Sequence, residues 1–135
     1  MKRTLMTIMS AAMLHSATAG AAWTRVGEND DMVVYTDSAT IQRTGNLARL
    51  WRLNDLKAER STAVTMSAGE WYSSVRLRLE YDCTAEKARI LAFVAHTANM
   101  GGGKVVLHDP EAQAWSTISR DPMQLTLYKM ACNKR

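Results

Sequence analysis

Ser73-Ser74-Val75-Arg76-Leu77-Arg78-Leu79-Glu80-Tyr81-Asp82-Cys83 is the stretch whose reading decides the architecture. Val75, Leu77, Leu79 and Tyr81 alternate with Ser74, Arg76, Arg78, Glu80 and Asp82. A two-residue period of this kind predicts a β-strand with one buried face and one wet face. Cys83 has the parity of the apolar set, so its sulfur should point from the core face toward whatever covers that face.

The cover is predicted to be a C-terminal helix. Ser119-Arg120-Asp121-Pro122 supplies N-cap candidates followed by proline at the first helical position, where its missing N–H costs nothing. No residue from there to Lys134 breaks a helix. At 100° per residue, Leu125, Tyr128, Ala131 and Cys132 fall in one arc about 120° wide, which suits a core-facing stripe. Cys132 would then face the sheet. Met123, Leu127 and Met130 lie toward the other side, and are expected there as a second apolar contact, with homodimerisation as the candidate use.

Cys83 and Cys132 are the only two cysteines, and in a short exported chain an even count predicts one bridge between them. Export is read from the N-terminus. Lys2 and Arg3 precede the apolar run 4–14, which leads to the small residues 16–22. That order is a signal peptide's, and the apolar run is shorter than the ~20 residues a bilayer span requires. Both Ala17-Thr18-Ala19 and Ala19-Gly20-Ala21 fit the cleavage rule, so residues 1–21 are expected to be the signal, cut after Ala19 or Ala21. Residues 22–135 form a single domain. The first cysteine is Cys83, so no cysteine stands near either cut to carry a lipid. The product is expected to be periplasmic, secreted or at the cell surface, without a membrane span.

The remaining segments read as strands over 23–26, 32–36, 40–43, 46–53, 87–96 and 104–107. Turn residues at 27–31, 44–46 and 101–103 separate them. Short connections favour hairpins. The expected fold class is therefore α+β, an antiparallel sheet of about six strands with the C-terminal helix packed on one face and disulfide-linked to it. Residues 55–70 have little apolar pattern and are read as a long loop with one weak strand. Residues 90–94 are apolar at every position, which suggests a strand covered on both faces.

Chemistry is scarce. The mature chain has only His96 and His108 as imidazole bases, and no local signature sets a serine beside either. Glu28-Asn29-Asp30-Asp31 lacks the spacing of a calcium loop and reads as a polar turn. Gly101-Gly102-Gly103 has no G-K-[ST] continuation and no helix after it, so it reads as a turn and not a phosphate loop. No enzyme, cofactor or metal is predicted. The whole chain carries a formal charge of +4, and loss of Lys2 and Arg3 with the signal brings it to +2, too little to imply a nucleic-acid partner. The candidate binding surface is arginine-based: Arg76 and Arg78 on the wet face of the deciding strand, with Arg49 and Arg52, which cluster elsewhere in the sequence with Trp51, Lys57 and Arg60. Guanidinium groups give bidentate contacts to sulfate, phosphate or carboxylate.

Taken in order, Trp23, Val33-Val34-Tyr35-Thr36-Asp37, Trp51-Arg52-Leu53, Tyr81-Asp82-Cys83, Arg89, Met100-Gly101-Gly102-Gly103, Trp115 and Ala131-Cys132 resemble the surface-adhesin protein E family of Gram-negative bacteria. The resemblance implies an antiparallel sheet with a C-terminal helix disulfide-linked across it, often as a dimer. It also implies a non-enzymatic role in binding host or matrix proteins, without transferring individual binding residues. A soluble periplasmic structural protein with no host ligand is the alternative expectation, because the chain lacks the lipid-bearing cysteine of the member that named the family.

Overall fold

The computed structural model describes residues 22–64 and 69–134; the segment expected to be the signal peptide lies outside the described residues. Eight strands form one antiparallel sheet: β1 (Thr24–Glu28), β2 (Met32–Thr36), β3 (Gln42–Thr44), β4 (Leu47–Ser61), β5 (Trp71–Asp82), β6 (Lys87–His96), β7 (Val105–Asp109) and β8 (Ser116–Thr117). The main order is β1-β2-β4-β5-β6-β7. Short β3 pairs with the start of β4, and β8 with the start of β6. Among the described residues one α-helix, α1 (Pro122–Cys132), follows the last strand.

Strand β5 follows its period. Val75, Leu77, Leu79 and Tyr81 are buried on the face that carries α1, and Leu79 and Tyr81 stand opposite Leu50 and Ala48 of β4. The Cys83–Cys132 disulfide forms as expected, with Cα atoms 5.7 Å apart and a sequence separation of 49. The Tyr128 hydroxyl donates to the Cys83 carbonyl at 3.1 Å, and its ring meets Tyr81 edge to face. Arg43 donates to the Cys132 carbonyl from β3, so the last helical turn is held at three points.

The helix starts where the sequence says it should, with the Asp121 carboxylate accepting from the N–H groups of Met123 and Gln124 and Pro122 following. Its buried side is wider than expected: Leu125, Tyr128, Ala131 and Cys132 pack against the core as expected, and the other apolar residues of the helix join them. Leu127 and Ala131 have no exposed surface, and Met123 and Met130 pack against the same core. Met123 lies so close to β1 that a Cβ on Gly27 would come within 3.0 Å of its Cγ. The stripe assigned to a subunit contact therefore serves mainly this chain's own core. Only Gln124, Thr126 and Lys129 interrupt the apolar residues of α1, so the pattern does not define a single arc.

Three other expectations are corrected. Residues 55–61 are not loop but the second half of β4, where Arg60 pairs with Tyr72 and Ser61 with Trp71 beyond a bulge. Lys57 through Arg60 are exposed, so nothing imposes alternation on their side chains. Residues 65–68 of the expected loop lie outside the described residues. The strand expected at 40–43 begins only at Gln42, because Asp37 accepts from Ala39 N and the Thr40 hydroxyl and winds Ser38–Thr40 into a 3-10 turn. The unbroken apolar run in β6 has a local cause: Leu79 pairs with Ile90 but Arg78 with Ala92, so a bulge shifts the parity inside the run. The sheet also has more strands than six, β8 being too short to leave a period.

Both turn readings hold. Asn29 Oδ1 accepts from Asp31 N and Met32 N, while Glu28 pairs with Arg25 and Lys57. The glycine segment turns through positive φ at Gly103 (68°), where a Cβ would strike Thr97 Oγ1.

Candidate functional site

The face of the sheet opposite α1 collects the arginines. Arg49 and Trp51 of β4, Arg76, Arg78 and Glu80 of β5, and Arg89 of β6 share it by register: Arg49 stands opposite Glu80, Glu80 opposite Arg89, and Trp51 opposite Arg78. Glu80 is the centre. Its side chain has no exposed surface, its Oε2 accepts from Arg49 Nε at 2.6 Å, and its Oε1 accepts from Arg89 Nε at 2.8 Å and Nη2 at 2.6 Å. Burial by itself would raise this carboxyl's pKa, but the two guanidinium groups outweigh it and hold the group below its ordinary value. The acid is thereby hidden beneath the cations it balances. Arg49 keeps 44 % of its side chain exposed while making this pair.

Aromatic rings interleave with the charges. The Arg76 guanidinium lies 5.4 Å from the Trp51 ring centroid, and that of Arg89 lies 4.4 Å from the Trp115 ring. Arg76 is held from below, donating its Nε to His96 Nε2 at 2.9 Å. Burial first, and the charge of Arg76 second, push the His96 pKa down, so the ring is neutral and its proton sits on Nδ1, which is buried without a partner. Arg78 contacts Gln42 Oε1 at 3.5 Å. Beside it a cleft of about 280 Å³ opens, lined by Ala39, Thr40, Gln42, Arg49, Leu50, Trp51 and Arg78.

Of the four arginines expected to form a surface, Arg49, Arg76 and Arg78 come together. Arg52 does not. It pairs with Leu77 in register on the helix-bearing face, is only 7 % exposed, and donates Nε to Asn54 Oδ1 at 2.6 Å. The sequence contained the reason: Arg49 and Arg52 are three residues apart on one strand, an odd spacing that sends them to opposite faces. Sequence reasoning missed Arg89, Glu80 and Trp115 as members of the site. Arg89 has the same parity as Lys87 before the bulge, a usable signal, whereas Trp115 comes from an irregular segment and had none.

Ser74 stands directly opposite His96, but its hydroxyl donates to the Ala98 carbonyl at 2.6 Å and accepts from Gly101 N. His108 is exposed on β7. Among the described residues, no three His, Cys, Asp or Glu side chains gather where a metal ion could be held. Nor is any described helix long and apolar enough to cross a membrane.

The fold has solved counterparts. Crystal form II of Haemophilus influenzae protein E superposes with a TM-score of 0.64 at 13 % identity, covering 84 % of this chain and 89 % of that one. Another structure of Haemophilus influenzae protein E gives 0.60 at 13 % identity over 84 % and 86 %. Protein E from non-typeable Haemophilus influenzae gives 0.58 at 14 % identity, covering 87 % of this chain and 79 % of that one. At such low identity the likeness establishes the fold. No curated protein sequence matches the chain. The family model described as surface-adhesin protein E matches residues 23–133, from the tryptophan before β1 to the residue after α1, and the chain belongs to that family.

Proposed function

We propose that this chain is an exported, non-enzymatic adhesin-type protein that engages a host or matrix protein through the arginine and tryptophan face of β4, β5 and β6. Family membership supports an adhesin-type surface protein. The observation that carries the choice of surface is the hidden carboxylate. Arg49 and Arg89 cover Glu80, which has no exposed surface, and Arg76 and Arg78 share the same face without a carboxylate partner among the described residues, so the face is cationic toward solvent even though the whole chain is only mildly basic. Arg and Trp are the residue types that most often dominate binding energy at protein interfaces. The partner surface should be acidic or sulfated, since a guanidinium pairs two-pronged with carboxylate or sulfate.

The test is binding of the mature chain to a panel of immobilised extracellular-matrix proteins, at low and physiological salt. Arg78→Glu and Trp51→Ala should each weaken binding at least about tenfold, in keeping with hot-spot truncations. Lys57→Glu with Arg60→Glu, on the projecting part of β4, should leave it unchanged. An intact chain that binds no panel member, or that turns over a small substrate, would overturn the reading. Protease accessibility on whole cells decides whether the protein reaches the surface.

A further inference from the structure

The helix-bearing face holds a second cavity, of about 240 Å³, between the sheet, α1 and the segment around β8. Leu77, Leu79, Ile90 and Ile118 line it, with Gln124 at the helix side and Arg52 reaching into it from β4. Arg52 is an odd residue to find there. Its Nε is used by Asn54, but among the described residues it makes no ion pair, and its Nη groups are not among the buried atoms without a partner, so they meet the solvent that enters the cavity. The nearest helix carboxylate, Asp121, attracts it from a distance while capping Met123 and Gln124. Glu80 lies on the opposite face and is already paired. Arg89, which also borders the cavity, is bound to Glu80.

A guanidinium that is mostly buried, without an ion pair and with only the water of the cavity at its Nη groups, is costly, and a methionine of similar length would fill the position without that cost. The two free Nη groups have a fork geometry suited to a carboxylate. The surrounding side chains suit a compact apolar body.

We infer that this cavity is a binding site for a small monocarboxylate, whose carboxylate bridges the Arg52 Nη groups and whose hydrocarbon part lies on Leu77, Leu79, Ile90 and Ile118. The cavity equals about eight waters of liquid volume. It is smaller than the ~300–1,000 Å³ typical of drug-sized sites. A chain or ring of about six carbons therefore fits. Gln124 and Ser119, at the cavity margin, can take the outer lone pairs of the carboxylate. The inference is independent of the adhesin reading, because it concerns the other face of the sheet.

Hexanoate and benzoate are the probes, with hexanol and benzyl alcohol as their neutral counterparts and inorganic sulfate as an anion without a body. They are titrated into the mature, disulfide-intact chain by calorimetry and by NMR. The carboxylates should bind at least about tenfold more tightly than the alcohols and than sulfate. Shifts should concentrate at Arg52 Nε, Leu77, Leu79 and Ile118. Arg52→Met should abolish binding while raising the unfolding midpoint, and Arg52→Lys should weaken binding by losing the fork. Equal affinity for alcohols and carboxylates, retained binding in Arg52→Met, or no binding by the unaltered chain would each overturn the assignment. The shift pattern in the unaltered chain decides the matter even if a variant fails to fold.

Discussion

Arg49 reaches across from β4 to donate its Nε to Oε2 of Glu80 at 2.6 Å, so that a partly exposed cation closes over a carboxylate with no exposed surface. Glu80 depends on Arg49 and Arg89 together, whereas each arginine can turn to water if Glu80 is removed. Arg49→Ala combined with Arg89→Ala should destabilise the domain by about 3–5 kcal/mol, the usual cost of leaving a buried charge uncompensated. Adding Glu80→Gln to that double variant should recover much of the loss. Denaturant unfolding measures both, and a double variant as stable as the parent would mean that water replaces the arginines.

The same carboxylate gives the domain an acid limb. The Glu80 pKa is held below 4.5 by Arg49 and Arg89 against the opposing effect of burial. Its contribution is therefore fully present above pH 4.5 and is lost as pH falls through its depressed value. Glu80→Gln should flatten stability against pH in that range. An unchanged profile would assign the limb to other carboxylates.

His96 acts at higher pH. Burial and Arg76 hold its folded pKa below 6.5, so the unfolded chain takes up a proton first, and the stability tied to the neutral ring is lost as pH drops from 6.5 through the folded value. NMR titration of the ring should show a midpoint under 6.5. The Trp51 signal should move with it, since Arg76 links the two rings. A midpoint at or above 6.5 would contradict the buried, arginine-coordinated imidazole.

Helix orientation can be tested with two leucines. Leu127→Ala removes a side chain with no exposed surface and should cost about 2–5 kcal/mol, within the range for buried leucines. Leu125→Ala, at a half-buried position, should cost much less. The reverse order would restore the arc centred between Leu125 and Cys132.

Loss of the bridge should cost about as much as losing the Arg49 and Arg89 pair. Cys83→Ser with Cys132→Ser opens a loop of 49 residues, worth about 4 kcal/mol on the chain-entropy argument. Intact mass before and after reduction reports the bridge directly, and two free thiols in exported protein would remove it from the account.

The fold was legible where a local period survived. Strand β5 alternates cleanly, β2 and β6 are bounded by turn residues, and Asp121-Pro122 marks the start of α1. Legibility failed where neighbours rather than local pattern determine burial. Glu80 looks solvent-facing in sequence because its polar parity is genuine, and only the arginines brought from β4 and β6 bury it. The outer half of β4 escaped because both its faces are wet. The side of α1 that turns inward was hidden by too many apolar residues, with Leu127 as the one that mattered most.

The Cys83–Cys132 bridge also sets what a protease can accomplish. Every bond between those residues, including the irregular 110–115 stretch that carries Trp115, lies inside a covalent ring with β6, β7, β8 and α1. A single cut there would open the ring without releasing a piece, so the nicked protein would run as one molecule until reduced. Strands β1 through β5 lie before the ring and have no such protection. In a protease-rich setting, wear should therefore begin in the N-terminal half, and Arg49, Arg76 and Arg78, which β4 and β5 contribute, should leave the cationic face before Arg89 does.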